Sequence, residues 1–185
     1  MSKHNYKDFV FKSEEELFFY YQMEELLDLG VVLKIEYEPE TFILSEGLKL
    51  TDKAKKKYTV LSKDSYTPDF KVTFDKSKIY QIESLFQCLF DVNKNPLLCN
   101  CGTEYVSYFE IKGTFDRFGT SRETTTKINW LYSSKQIYIQ LIKIGNQPKT
   151  WWDMTFVPKK VLNLKKRTNW KFKTKTLNSY GKNSI

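Results

Sequence analysis

Two short runs of the chain carry residue types that could do chemistry together: Tyr66-Thr67-Pro68-Asp69-Phe70 and Phe109-Glu110-Ile111-Lys112-Gly113. Each has the aromatic and β-branched composition of a short β-strand. Side chains two apart on a strand share a face, so Glu110 and Lys112 emerge side by side while Ile111 points the other way, into a core. Proline cannot donate to a sheet ladder, which puts Pro68 at a strand edge, bulge or end and Asp69 where the sheet frays. A neighbouring strand could then hold Glu110 against Asp69. Two carboxylates that close resist ionising together, and a divalent cation removes the conflict. Mg²⁺ suits such a pair because it keeps several waters and takes one or two protein carboxylates. An ammonium alongside can polarise a water or a phosphate oxygen, and a bound metal lowers the pKa of its water. The chemistry implied is phosphodiester hydrolysis. Taken singly, Glu110 and Lys112 read as a solvated cross-strand charge pair, and Pro68-Asp69 reads as a turn. The two runs together favour a site.

At these residues the chain resembles the PD-(D/E)xK nuclease superfamily. Pro68-Asp69 matches its PD, Glu110-Ile111-Lys112 matches its ExK, and Gly113 follows as it often does there. Small phage-type endonucleases and Holliday junction resolvase-like proteins are the nearest in character. They often carry F-x-S-x-x-E at a helix start, which Phe11-Lys12-Ser13-Glu14-Glu15-Glu16 fits. The resemblance implies an α/β, restriction-endonuclease-like core of N-terminal helix, central mixed sheet and second helix. It implies a DNA endonuclease that uses Mg²⁺, with Mn²⁺ able to substitute. Asp69, Glu110 and the Ile111 carbonyl would hold the metal, Lys112 would activate water, and Glu16 would be a further acid. The helix after the active strand often supplies a basic residue, which points to Lys127 and Arg122 as phosphate contacts; a plain surface lysine is the alternative. Forty residues separate Asp69 from Glu110, more than the tight hairpin usual in the superfamily. Either an insertion lies between the strands or the pairing fails.

The elements that must position these residues follow from local patterns. Ser13 as N-cap, Glu16 three residues on and Gly30 at the far end delimit a helix over residues 13–29. Its apolar stripe runs through Glu16, Tyr20, Met23 and Leu27, with Glu14 and Glu15 on neighbouring stripes. Capping and metal binding call on Glu16 at the same helix end, and both readings stand. Residues 31–44 alternate as a strand with a break at Pro39 and Glu40. The lysine-rich residues 48–62, with Lys53, Lys55, Lys56 and Lys57 close together, read as a solvated loop or strand end, with DNA contact as the alternative. Lys71 to Phe74 continue the strand after Asp69. Ile79, Ile82, Leu85, Phe86, Leu89 and Phe90 recur at helical spacing, so an amphipathic helix is expected inside an insertion over residues 76–104. A helix is expected near residues 122–132, a strand over 136–144 and a turn at 145–148. Trp151 and Trp152 suit core packing or a dimer contact.

At 185 residues, the chain is long enough for one domain with a sizeable core. We divide it into residues 1–157 and a basic extension over 158–185. The net charge of +8 arises entirely in that extension, which holds nine Lys and Arg and no acid, leaving −1 for the rest. Trp170-Lys171-Phe172-Lys173-Thr174-Lys175-Thr176 alternates as a strand would. Its lysine row guards an edge against aggregation or, with Lys165, Lys166 and Arg167, contacts DNA phosphates. A base-reading motif is lacking, so backbone or shape recognition is expected. No stretch reaches the 18 apolar residues of a membrane span, and the start lacks the apolar run of a signal peptide, so a cytoplasmic protein is expected. Three cysteines and a single histidine, His4, argue against a disulfide framework, a structural zinc site and a His-dependent triad. The alternatives to an endonuclease are a non-catalytic DNA-binding protein on the same fold and a protein-interaction or inhibitor module. Junction resolution would further require a homodimer.

Overall fold

The computed structural model describes residues 4–79, 99–101, 104–113, 120–164 and 169–177. A short hairpin of β1 (His4–Tyr6) and β2 (Phe9–Phe11) leads into helix α1 (Glu14–Asp28). Ser13 caps α1 as expected, its hydroxyl accepting from the Glu16 N–H at 3.2 Å, and Gly30 leaves the helix with φ +67°. The buried stripe turns at Leu26 rather than Leu27, which stays partly exposed.

The centre of the molecule is a mixed sheet. Strand β10 (Glu104–Gly113) pairs antiparallel with β8 (Phe70–Phe74), and β8 pairs antiparallel with β3 (Val32–Tyr37). On its other edge, β10 pairs antiparallel with β9 (Cys99–Cys101) and parallel with β11 (Ile139–Ile144). Parallel neighbours need a crossover, and helix α3 (Thr120–Lys135) lies in the connection from β10 to β11. The expected strand 31–44 divides at Pro39, as its sequence requires. Its second half is β4 (Phe42–Ser45), which pairs with β7 (Asp64–Tyr66) in a separate two-stranded sheet.

Strand alternation sorts side chains onto two faces. Phe70, Val72, Phe74, Phe109 and Ile111 face α1, packing with Phe18, Phe19, Met23 and Leu26. Val106 and Tyr108 face the opposite side, where Phe42, Leu44, Tyr66, Ile128 and Leu131 close a second cluster. The sheet is therefore covered by α1 on one face and by α3 with the β4–β7 pair on the other, the usual solution for burying both faces. Among the described residues the fold is mixed α/β with five helices, three of them only four residues long: α2 (Lys76–Ile79), α4 (Trp151–Met154) and α5 (Lys159–Leu162).

Three expectations change. Tyr66 to Phe70 is not one strand: Tyr66 ends β7, Phe70 begins β8, and the chain bends at Asp69 between them. Pro68 is the cause, since it has no N–H to continue either ladder. Residues 48–62 are not a loop but a second hairpin, β5 (Leu48–Thr51) against β6 (Lys57–Leu61), all of it exposed. Residues 170–176 form no ladder. Their alternation reflects packing: Trp170 and Phe172 lie against the α1-side core, Lys171 and Lys173 point outward, and two backbone bonds tie the segment down. Those bonds run from the Lys171 N–H to the Asn146 carbonyl and from the Val157 N–H to the Lys175 carbonyl. Among the described residues beyond Pro158, Val161 and Leu177 are buried in the main core.

Trp151 and Trp152 are core residues. Trp152 stacks edge-on with Trp170, and the Trp151 indole donates to Gln22, whose amide nitrogen donates to Thr155 Oγ1 and the Phe156 carbonyl, both at 2.9 Å. The amphipathic helix expected within residues 76–104 falls mostly outside the described residues, as does Cys88. Among the described residues no helix is long and apolar enough to cross a membrane.

Candidate active site

Continuing the β8–β10 register one step past Phe70 and Phe109 sets Asp69 beside Glu110. The bend that Pro68 imposes turns the Asp69 side chain back onto the neighbouring strand, where its Oδ2 accepts from the Ile111 N–H at 2.7 Å. Glu110 follows Val106 and Tyr108 on the α3 face, and only 6% of it is exposed. Both its oxygens are engaged. Tyr66 donates to Oε2 at 2.7 Å and the Lys112 ammonium lies 2.7 Å from Oε1. Asp69, Glu110 and Lys112 thus meet at one end of the β8–β10 pair.

Glu16 approaches from the start of α1. It accepts from the Lys12 N–H at 3.0 Å, closing the helix end, and from the Tyr37 hydroxyl at 2.6 Å. Its charge is felt at Asp69, so capping and proximity to the acid pair coexist in one side chain. Glu15 also reaches this end of the sheet. A Cβ added at Gly113 would lie 3.0 Å from the Glu15 carboxylate, so glycine at this place allows the helix start to close on the end of β10.

The electrostatics show a concentration of negative charge. Burial, then the neighbouring Glu110 charge, push the Asp69 carboxyl up to about 8; the Ile111 N–H and the Lys112 ammonium oppose them without cancelling them. Burial and Glu110 push the Tyr66 hydroxyl well above the ordinary range, and burial with the bond to Glu16 does the same for Tyr37. Both phenols therefore remain protonated donors. Lys12 at the rim is held charged chiefly by its bond to Glu38, with Glu16 and Asp69 adding to the effect.

These donors fit a hard divalent cation in one respect. Asp69 and Glu110 stand at neighbouring register positions on one face, and a proton-raising field at Asp69 is one a cation would relieve. Mg²⁺ commonly completes its shell with water around so few carboxylates. Among the described residues no group of three or more His, Cys, Asp or Glu side chains converges as a ready-made metal shell.

The expected nucleic-acid contacts divide. Arg122 is exposed on α3. Lys127, one turn further along, is paired with Asp64 at 3.0 Å and Glu123 at 3.2 Å, which also hold it protonated. Lys171 and Lys173 are exposed and Lys175 half-buried, away from any strand ladder. Lys165, Lys166 and Arg167 lie outside the described residues. Sequence reasoning missed the roles of Tyr37, Tyr66 and Glu15. Tyr66 stood inside the quoted motif, but its partner is 44 residues away and no local pattern points to it.

Compared with known proteins, the chain matches no family model, no curated protein and no solved structure.

Proposed function

We propose that this protein is a Mg²⁺-dependent endonuclease on a restriction-endonuclease-like core, hydrolysing DNA phosphodiester bonds in the cytoplasm. One observation carries the reading: a proline-directed bend and a strand 40 residues later bring Asp69 and Glu110 side by side, with Lys112 bonded to Glu110. A divalent cation held there, with Mn²⁺ able to replace Mg²⁺, would neutralise phosphate charge and lower the pKa of an attacking water. Asp69 and Glu110 are the residues that would hold it, with the Ile111 carbonyl and Glu16 as further oxygens. The Ile111 N–H fixes the Asp69 carboxylate, and Tyr66 fixes Glu110. Lys112 sits where it can orient a water or bond a non-bridging phosphate oxygen, and its ammonium offsets charge that builds in the transition state.

The test is a panel of duplex, flap, four-way-junction and single-stranded DNA incubated with Mg²⁺ or with EDTA. Cleavage should need the metal and should vanish in Asp69→Ala and Glu110→Ala, while DNA binding persists in both. Wild-type protein that nicks none of these substrates with Mg²⁺ or Mn²⁺ sinks the catalytic reading.

A further inference from the structure

We propose that the exposed β5–β6 hairpin is an arm that enters a groove of double-stranded nucleic acid, gripping the substrate of the neighbouring site. The inference rests on the nuclease reading for its purpose, but on separate residues for its physics.

The first observation is charge. Residues 46–63 carry six lysines against Glu46 and Asp52, a local net of +4 within a tenth of the chain's length. Four of the lysines, Lys53, Lys55, Lys56 and Lys57, crowd the turn. Asp52 stands among them, its carboxylate capping the turn by accepting from the Lys56 N–H at 2.9 Å and the Tyr58 hydroxyl at 3.0 Å, and the run stays positive with that charge counted. Phosphates spaced along a duplex are the complementary surface.

The second is shape. Cross-strand partners share a face of a two-stranded ribbon. The register therefore puts Leu48, Leu50, Tyr58 and Leu61 on one face and Lys49, Thr51, Lys57 and Thr59 on the other. Leu50 is 54% exposed and Leu61 58%. An isolated hairpin is marginal in water unless a face is covered. A two-stranded ribbon fits the major groove, where apolar side chains can meet thymine methyl groups at the floor while flanking lysines reach the phosphate walls.

The third is placement. The arm grows from β4 and β7, and β7 ends at Tyr66, the donor to Glu110. At its root Gly47 has φ +76°, and a Cβ there would meet the Leu61 carbonyl at 2.7 Å, so the two chains cross in close contact. Between this root and α3 lies a cleft of about 750 Å³ lined by Lys63, Arg122 and Trp130, and by Lys127 with its partners Asp64 and Glu123. A backbone held by the arm would continue past Lys63 and Arg122 toward the acid pair.

Binding of a fluorescein-labelled, mixed-sequence DNA duplex is measured in EDTA across a salt series, so that cleavage plays no part. Each phosphate contact contributes about 0.9 to the slope of log affinity against log salt. Replacing Lys53, Lys55, Lys56 and Lys57 together by Gln should flatten the slope by roughly 3 to 4. From 50 to 200 mM salt the wild type should then lose about a hundredfold more affinity than the variant. Replacing the same four by Arg should restore the wild-type slope. Leu50→Ser with Tyr58→Ser should weaken binding with the slope unchanged. A Gln variant with wild-type affinity and slope overturns the proposal. So does a Gln or Ser variant that loses dimeric mass in sedimentation while binding DNA normally, because the face would then belong to a second copy. Wild-type protein that binds through the arm yet cleaves nothing would refute the nuclease reading alone. Wild-type protein that cleaves, beside a Gln variant that binds and cleaves equally well, would refute the arm alone.

Discussion

Replacing Asp69 by Asn should make the metal-free protein more stable, and by an amount that depends on pH. The Asp69 carboxyl is pushed up to about 8 by burial and by Glu110, whereas in the unfolded chain it titrates near 3.9. Between these values the folded state binds a proton that the unfolded state has released, so folding stability falls as pH rises. The window opens near pH 4 and closes near pH 8. Inside it the loss is about 1.4 kcal/mol per pH unit, or roughly 3 kcal/mol between pH 5 and 7. Asparagine keeps an oxygen to accept from the Ile111 N–H but has no charge to desolvate, and its stability should lack this component. Urea titrations of both proteins at pH 5, 6, 7 and 8 in EDTA give the difference directly. At pH 8, excess Mg²⁺ should raise wild-type stability, by about 2.7 kcal/mol at a hundred times its dissociation constant, and should raise the Asn variant far less. A gap between the proteins that stays constant from pH 5 to 7 would refute the reasoning, because Asp69 would then not be the group that titrates.

Tyr66→Phe removes a donor 2.7 Å from a buried carboxylate and should cost about 1–3 kcal/mol in urea unfolding, with cleavage falling as Glu110 loses its anchor. Leu177→Ala tests whether the segment over residues 169–177 belongs to the core. At 5% exposure the loss should be about 2–5 kcal/mol, against less than about 0.5 kcal/mol for a residue on a detached tail.

What the sequence disclosed was what depends on near neighbours. The α1 start needs only Ser13 and Glu16, four positions of chain, and Pro39 breaks its strand by its own covalent structure. The acid pair was legible because proline fixes where a ladder stops and a two-residue period fixes which side chains share a face. The β5–β6 hairpin escaped notice for the converse reason. Its turn is made by Lys55 at φ +60°, where a glycine or asparagine would have signalled it, and its lysines mask the alternation of Leu48, Leu50 and Tyr58. In the C-terminal segment alternation was real but its meaning ambiguous, since a chain laid along a core buries every second side chain with or without a pairing strand. Tyr37 reaches Glu16 across 21 residues and Tyr66 reaches Glu110 across 44; such partners exist only once the chain has folded.

The span between β8 and β10 has a practical meaning. The two strands are adjacent and antiparallel, so the intervening chain starts and finishes at the same end of the sheet, away from the acids. Doubling the length of such a tether adds only about 0.6 kcal/mol of closure entropy. The register of the acid pair is thus set by the strands themselves and not by the length of that span. It could be trimmed to a tight turn, at the expense of β9, or could carry a grafted reporter, with Asp69 and Glu110 left in register.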